Sequence, residues 1–111
     1  TEEGVVQVFY PELGAREPIL GAVGALQFEV FEYRMNEEYG VEILQRQTEH
    51  RIIRWLEGPV TRGDRFALLA RDLTGQQVAL FRFDHEIKYF LDENPGLVLH
   101  ENPGGEEVVR L

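Results

Sequence analysis

The chain has 111 residues, a length that predicts one domain with a core of its own. Hydrophobic residues make up 43% of it, which argues against disorder, and no apolar run approaches the roughly 20 residues that cross a bilayer. A formal net charge of −9 disfavours a domain that grips nucleic acid over its whole surface, because phosphate binding depends on Lys and Arg. The absence of cysteine excludes disulfides and thiolate metal sites, and it fits a cytoplasmic protein.

The spacing of apolar residues predicts two strands and a long helix in the first part of the chain. Strands over Val5–Tyr10 and Glu17–Leu20 precede a helix over Val23–Tyr39, and Gly40 stands where a left-handed C-cap is expected. We expect Leu26 to lie in the core beneath this helix. Two rows of apolar side chains follow it: Val23, Leu26, Val30 and Tyr33 in one, and Phe28, Phe31, Met35 and Tyr39 in the other.

The remaining elements predict a sheet with a second, shorter helix. Asp84 is the expected N-cap of that helix, and Asn94-Pro95-Gly96 ends it. We therefore predict a single α+β domain over residues 1–111, with a mainly antiparallel sheet, two helices on one face, and a ferredoxin-like core with additional strands. The further predicted strands are Val41–Gln45, Arg51–Glu57, Arg65–Ala70, Gln77–Phe83 and Leu97–His100.

The stretch Gly21–Val30, GAVGALQFEV, admits three interpretations. A phosphate-binding loop would end in Gly-Lys-Ser or Gly-Lys-Thr, whereas the letters ALQF follow Gly24, and a GxGxxG fingerprint is absent. A KH-type clamp places GxxG between two helices near basic residues, whereas this one follows a strand and precedes Glu29. The spacing favours the third interpretation, in which the glycines let the helix approach the sheet closely.

A polar stripe lies between the two apolar rows of the long helix. It consists of Gln27, Arg34 and Glu38, at positions i, i+7 and i+11. One interpretation is an ordinary Arg34–Glu38 ion pair on a partly exposed strip. The other is a contact surface for a partner, and the pattern leaves both open.

No group of residues in the sequence is typical of a catalytic or metal site. The histidines His50, His85 and His100 show no short ligand spacing, so we expect surface or capping roles for them. Trp55 alternates with Ile53 and is predicted to be a core residue. We therefore predict no catalytic, cofactor-binding or metal-binding residues in this chain.

Residues 3 to 57 resemble a known family over a long and contiguous stretch, and the resemblance is thin afterwards. EGVVQVF is followed by ILGAVGALQFEV, by Arg34 and by EYGVE, and RWLE stands at Arg54–Glu57. The pattern resembles the C-terminal domain of the bacterial peptide chain release factor 3 family and, more distantly, elongation factor G. Tyr10 departs from the arginine expected before the proline, which leaves any contact of that arginine in doubt. The matching residues are Gly21, Ala22, Val23, Gly24, Leu26, Gln27, Phe28, Arg34, Glu38, Tyr39, Val41 and Glu42.

The resemblance implies part of a translational GTPase that speeds recycling of class I release factors from the ribosome after termination. It implies a non-catalytic, cytoplasmic, ribosome-contacting domain on the small-subunit side, near the decoding region. GTP and magnesium would be bound by an N-terminal domain outside this chain, which would itself hold no cofactor. Other domains of the same protein would be direct partners, and class I release factors indirect ones. A start at Thr1 fits such a fragment, although a processed N-terminus would look the same.

If the domain meets ribosomal RNA, its negative charge requires a local basic cluster. The candidates are Arg51, Arg54, Arg62 and Arg65, around the strand that carries Trp55 and the loop after it. Imperfect alternation predicts Arg51 and Arg54 on opposite faces of that strand. The alternative is that these arginines pair with the abundant carboxylates and only keep the surface soluble.

The competing hypothesis is a freestanding ferredoxin-like domain with a small-molecule binding site or phosphatase-like activity. The gene upstream of Thr1 separates the two hypotheses. A Gly-Lys-Ser/Thr motif there favours the release-factor GTPase, whereas a start codon just before Thr1 favours the freestanding domain.

Overall fold

The computed structural model describes residues 6–13, 17–22, 25–43, 46–62, 65–101 and 107–110. These residues form one antiparallel sheet of eight strands and two helices, so the predicted α+β fold is confirmed. The strand order across the sheet is β3-β8-β2-β1-β5-β6-β4-β7. In chain order, the elements are β1 (Gln7–Pro11), β2 (Ile19–Ala22), α1 (Ala25–Tyr39), β3 (Arg46–Gln47), β4 (Ile52–Glu57), β5 (Leu68–Arg71), β6 (Gln77–Phe81), α2 (Asp84–Glu93), β7 (Val98–His100) and β8 (Glu107–Arg110).

Each helix connects two strands that are parallel to each other but separated by a third. β2 and β3 are both antiparallel to β8, which lies between them, and α1 joins them. In the same way, α2 joins β6 to β7, and β4 lies between those two strands. This split β-α-β unit is the one from which ferredoxin-like folds are built. The sheet of this chain contains two such units side by side, linked through β1 and β5.

Both helices cover the same face of the sheet, as predicted. Phe28 of α1 packs with Leu20 of β2, and Phe90 of α2 meets Phe81 of β6 with ring centroids 5.4 Å apart. Successive side chains along a strand point to opposite faces of the sheet, and directly paired residues on neighbouring strands point to the same face. The registers from β2 through β1 and β5 to β6 therefore place Leu20 and Phe81 on one face, which we call the helix face.

The opposite face is buried because the sheet curls over it. Phe9 on β1 and Trp55 on β4 lie three strands apart, which is about 14 Å in a flat sheet. Their ring centroids are nevertheless only 5.9 Å apart. The core role predicted for Trp55 is thus confirmed. The buried residues that share this cluster are Phe9, Ile19, Ile53, Ala70, Val78 and Leu80.

The expectation that Leu26 lies in the core is wrong. Leu26 is 54% exposed and Tyr33 is 64% exposed, whereas Phe28 is buried and Phe31 packs beside it. A helix that lies on one sheet buries one of its sides. The row that begins at Phe28 faces the sheet, and the row that contains Leu26 and Tyr33 faces outward.

Two local predictions need correction, two strands were missed, and one local prediction is confirmed. Residues 41–43 are not a strand, and 44–45 lie outside the described residues. The N-cap of α2 is Phe83 rather than Asp84, which is already helical. β3 and β8 were not predicted, although β8 contains two β-branched valines, Val108 and Val109. Gly40 is the expected C-cap: its φ is 65°, and its N–H donates to the Asn36 carbonyl at 2.9 Å.

Candidate partner-binding surfaces

Two of the four arginines predicted to contact RNA are bound to carboxylates. Arg54 lies on the helix face of β4, where its guanidinium is 3.7 Å from Glu101 and donates to the Ile53 carbonyl at 2.9 Å. Arg65 lies 3.4 Å from Glu93 and also sits over the Phe66 ring, 5.0 Å from its centroid. Both pairs are partly or largely exposed, so they leave the arginines only weakly held.

The other two arginines are exposed, and neither has an ion-pair partner in the described part of the chain. Arg51 precedes β4, and its backbone N–H donates to the Phe81 carbonyl at 2.8 Å. By alternation along β4 it lies on the face opposite Arg54, as the sequence indicates. The structure therefore does not gather the four arginines into one patch.

The backbone of Arg62 is fixed by a buried asparagine at the end of α2. Asn94 is 1% exposed, and its Oδ1 accepts hydrogen bonds from the N–H groups of Thr61 and Arg62 at 2.8 and 3.0 Å. Its Nδ2 donates to the carbonyls of Arg62 and Phe90 at 2.7 and 2.9 Å. The loop that carries Arg62 is thus fastened to α2, while the Arg62 side chain extends into solvent.

The polar stripe of Gln27, Arg34 and Glu38 follows one flank of α1. Gln27 is half-buried, and Arg34 and Glu38 are exposed. No ion pair within 4.0 Å joins Arg34 to Glu38 among the described residues. The stripe therefore remains a candidate contact surface.

An acidic and aromatic surface on α1 was missed by the sequence interpretation. We call it the outer face of α1; it consists of Leu26, Glu29, Tyr33, Asn36 and Glu37, on the side of the helix that points away from Phe28. Leu26 and Tyr33 are seven residues apart, which places them on one side of a helix. The sequence does contain the signal, because two apolar rows on a helix above one sheet leave one row uncovered.

A cleft of about 540 Å³ adjoins this surface, and we call it the α1 cleft. It forms because the chain turns at Gly40 and returns beside the helix, with the Val41 N–H donating to the Met35 carbonyl at 3.2 Å. The residues that line it are Glu29, Glu32, Tyr33, Asn36, Glu42 and Ile43.

The buried carboxylate at the start of α2 is satisfied within the domain. Glu86 is buried, and its carboxylate accepts from the Arg82 guanidinium at 2.6 Å and from the Arg82 backbone N–H at 2.9 Å. The hydrogen bond from the Arg82 side chain lowers the pKa of Glu86, and it outweighs burial, which raises that pKa. This carboxylate also satisfies a backbone donor just ahead of the helix, where the N-cap side chain of Phe83 supplies no acceptor.

The histidines occupy separate places. His85 stacks on Phe83 at the start of α2, with centroids 5.4 Å apart, and His100 lies 2.6 Å from the Glu57 carboxylate. Among the residues that the structure describes, no three His, Asp or Glu side chains converge as metal ligands would. Neither described helix combines the length and the apolar character needed to span a bilayer.

Comparison with known proteins gives a consistent result. A family model described as class II release factor RF3, C-terminal domain, matches residues 1–91, well beyond the stretch over which the sequence resemblance is dense. Three relatives carry the name peptide chain release factor 3. The protein from Symbiobacterium thermophilum is 45% identical over 103 residues, which is 88% of this chain and 20% of the relative.

The other two relatives extend the match to further organisms. The protein from Macrococcus caseolyticus is 38% identical over 103 residues, with 89% of this chain and 20% of the relative covered. The protein from Streptococcus thermophilus is 36% identical over 104 residues, with 90% and 20% covered. This chain thus spans about a fifth of the length of these relatives.

Proposed function

Because this chain belongs to the family of class II release factor C-terminal domains, we propose that it is the ribosome-interacting domain of a peptide chain release factor 3 that acts in translation termination. The observation that carries the proposal is the family match over residues 1–91, together with 45% identity to a relative of that name. The complete protein would promote GTP-dependent recycling of class I release factors. GTP and magnesium would be bound by a domain outside this chain.

In this proposal the domain works in the cytoplasm, on the small-subunit side of the ribosome near the decoding region. It docks on other domains of its own protein and reaches class I release factors only indirectly. Arg51 and Arg62 are the best candidates for phosphate contacts, because both are exposed and neither has a carboxylate partner within the described residues. Arg54 and Arg65 would first have to leave Glu101 and Glu93.

The direct test compares the complete factor with the same factor lacking this domain. The measurement is GTP-dependent release of a labelled class I release factor from terminated ribosomes. We expect the truncated factor to bind GTP normally but to recycle slowly. Equal recycling rates with and without the domain would contradict the proposal.

A second arm tests where the nucleotide binds. The isolated chain lacks the Gly-Lys-Ser/Thr loop that holds phosphate and magnesium. It should therefore neither bind nor hydrolyse GTP. Micromolar binding of a labelled guanine nucleotide that unlabelled GTP reverses would assign the site to this chain instead.

The arginine contacts are tested by Arg62→Ala in the complete factor, with Arg71→Ala as the matched control. Arg71 is also exposed, but it already pairs with Glu12 at 3.2 Å. Co-sedimentation with ribosomes across a salt series should show weaker binding and a flatter salt dependence for Arg62→Ala alone. Curves that superimpose on wild type would remove Arg62 from the contact surface and leave the polar stripe of α1 as the next candidate.

A further inference from the structure

The outer face of α1 exposes apolar side chains that the domain itself does not cover. Of the 15 residues of α1, only Phe28 is buried. Leu26 and Tyr33 project away from the sheet, and Tyr39 and Val41 at the end of the helix are also exposed. Leu26 and Tyr33 lie two turns apart on the same side of α1, and aromatic side chains are enriched at protein interfaces.

The same surface carries carboxylates that have no cationic partner among the described residues. Within the described residues, no arginine, lysine or histidine lies within 4.0 Å of Glu29, Glu32, Glu37 or Glu42. Elsewhere in the described chain, most glutamates are paired. Those pairs are Glu12 with Arg71, Glu49 and Glu86 with Arg82, Glu57 with His100, Glu93 with Arg65, and Glu101 with Arg54. The unpaired glutamates are thus concentrated around α1.

The α1 cleft combines these two properties in one place. Three carboxylates, from Glu29, Glu32 and Glu42, line it together with the ring of Tyr33. A guanidinium or ammonium group can bind here in two ways. It donates charge-assisted hydrogen bonds to the carboxylates, and it makes a cation–π contact with the ring. At about 540 Å³, the cleft can admit a long basic side chain.

We infer that the outer face of α1 and its cleft dock a lysine- and arginine-rich segment of a partner protein. The apolar part of that segment covers Leu26 and Tyr33, and a basic side chain enters between Glu29, Glu32 and Glu42. RNA does not fit this surface, because its phosphates would face unpaired carboxylates. The inference deepens the proposed function and rests on it: the basic segment belongs to a protein that the complete factor meets on the ribosome.

The first experiment identifies the occupant directly. Tyr33 of the complete factor is replaced by the photo-crosslinker p-benzoylphenylalanine, the factor is bound to purified ribosomes, and the crosslinked fragment is identified by mass spectrometry. The same replacement at Tyr89, exposed on α2, is the control. We expect position 33, and not position 89, to capture a peptide rich in lysine and arginine from one ribosomal protein.

Each other result overturns the inference. A crosslink from position 33 to RNA, to another domain of the same factor, to a second copy of it or to nothing would show that the face has a different occupant or none. If the factor binds ribosomes in these cases, only the inference fails. If the factor does not bind ribosomes at all, the proposed function fails with it.

The second experiment tests the charge. The double variant Glu29→Lys/Glu32→Lys should weaken binding of the complete factor to ribosomes at least about tenfold, since like charges would then meet at the interface. Asp84→Lys/Asp92→Lys on α2 is the matched control, with the same change in charge at exposed carboxylates. It should change binding less than about twofold. Thermal melting checks that both variants are folded. If both are folded and weaken binding equally, the effect is explained by net charge alone, and the inference is overturned.

Discussion

α1 has 15 residues and buries one of them, Phe28, whereas the ten-residue α2 buries Glu86 and Phe90. Side chains also fix both ends of α2. Glu86 accepts a hydrogen bond from the Arg82 backbone N–H, and Asn94 accepts one from the Thr61 N–H. The two helices lie on the same face of one sheet. They differ in how far the domain itself satisfies their side chains.

This difference separates a helix that stabilises the domain from the helix for which we infer a partner. Around α2, the buried carboxylate, the buried amide and the aromatic rings all find their contacts inside the chain. Around α1, the outward apolar side chains and the glutamates of its cleft find none in the described residues. Substitutions on α2 should therefore change stability, and substitutions on the outer face of α1 should change binding.

The largest expected effect is that of Phe90→Ala. Its ring is fully enclosed between Phe81 and the loop around Leu97, so the substitution should lower the free energy of unfolding by about 3–5 kcal/mol. Phe28→Ala is the comparison on α1 and should cost about 2–3 kcal/mol, because α1 buries no other residue and the helix can settle into the space. Urea unfolding measures both. A larger loss at Phe28 would contradict the ranking of the two helices.

Asn94→Ala should follow, with a loss of about 2–4 kcal/mol. The substitution leaves the N–H groups of Thr61 and Arg62 and the carbonyls of Arg62 and Phe90 without these partners, at about 1–3 kcal/mol for each that water cannot reach. Asn36→Ala, on the outer face of α1, is the matched control and should stay within about 0.5 kcal/mol of wild type. Similar unfolding curves for the two variants would show that the Asn94 contacts contribute little.

Acidification should weaken the start of α2 selectively. The pKa of Glu86 is lower in the folded protein than the ordinary value of about 4.3, chiefly through its hydrogen bond from Arg82. Its contribution to the stability of the folded protein is therefore complete at pH values above that ordinary pKa, and it is lost as the pH falls through the lower pKa of the folded state. Between about pH 6 and pH 3, the free energy of unfolding should fall less steeply for Glu86→Gln than for wild type. An equally steep loss for the two proteins would contradict this role of Glu86.

The features that sequence predicted well are local ones. The turn between the predicted strands Arg65–Ala70 and Gln77–Phe83 is built by Asp72, whose Oδ1 accepts from the N–H groups of Thr74 and Gln76, both at 2.9 Å. Burial raises the pKa of Asp72, but hydrogen bonds from the Thr74 hydroxyl, the Gln76 and Thr74 N–H groups and the Trp55 side chain together outweigh it, so that the pKa lies below its usual range. Within the turn itself, donor and acceptor are at most four residues apart, a spacing visible in the sequence. Gly40 as a C-cap was predictable for the same reason.

The features that sequence missed depend on distant residues. Asn94 bonds to Thr61 and Arg62, which are 33 and 32 residues away, and nothing near Asn94 in the sequence indicates these partners. The choice between the two apolar rows of α1 likewise depends on which row meets β2. The unpaired carboxylates of the α1 cleft became visible only once the pairs of the other glutamates were known.

Leu26→Asp should change stability little, and it tests the orientation of α1 directly. Sequence alone places Leu26 in the core, where a carboxylate would cost several kcal/mol, whereas the structure leaves its side chain 54% exposed. We therefore expect a loss of less than about 1 kcal/mol by urea unfolding. The same substitution at Leu20, which is fully buried beneath α1, supplies the contrast and should unfold the domain or nearly so. If Leu26→Asp were as damaging as Leu20→Asp, the outward row would be the buried one, and the docking surface inferred for α1 would lose its apolar centre.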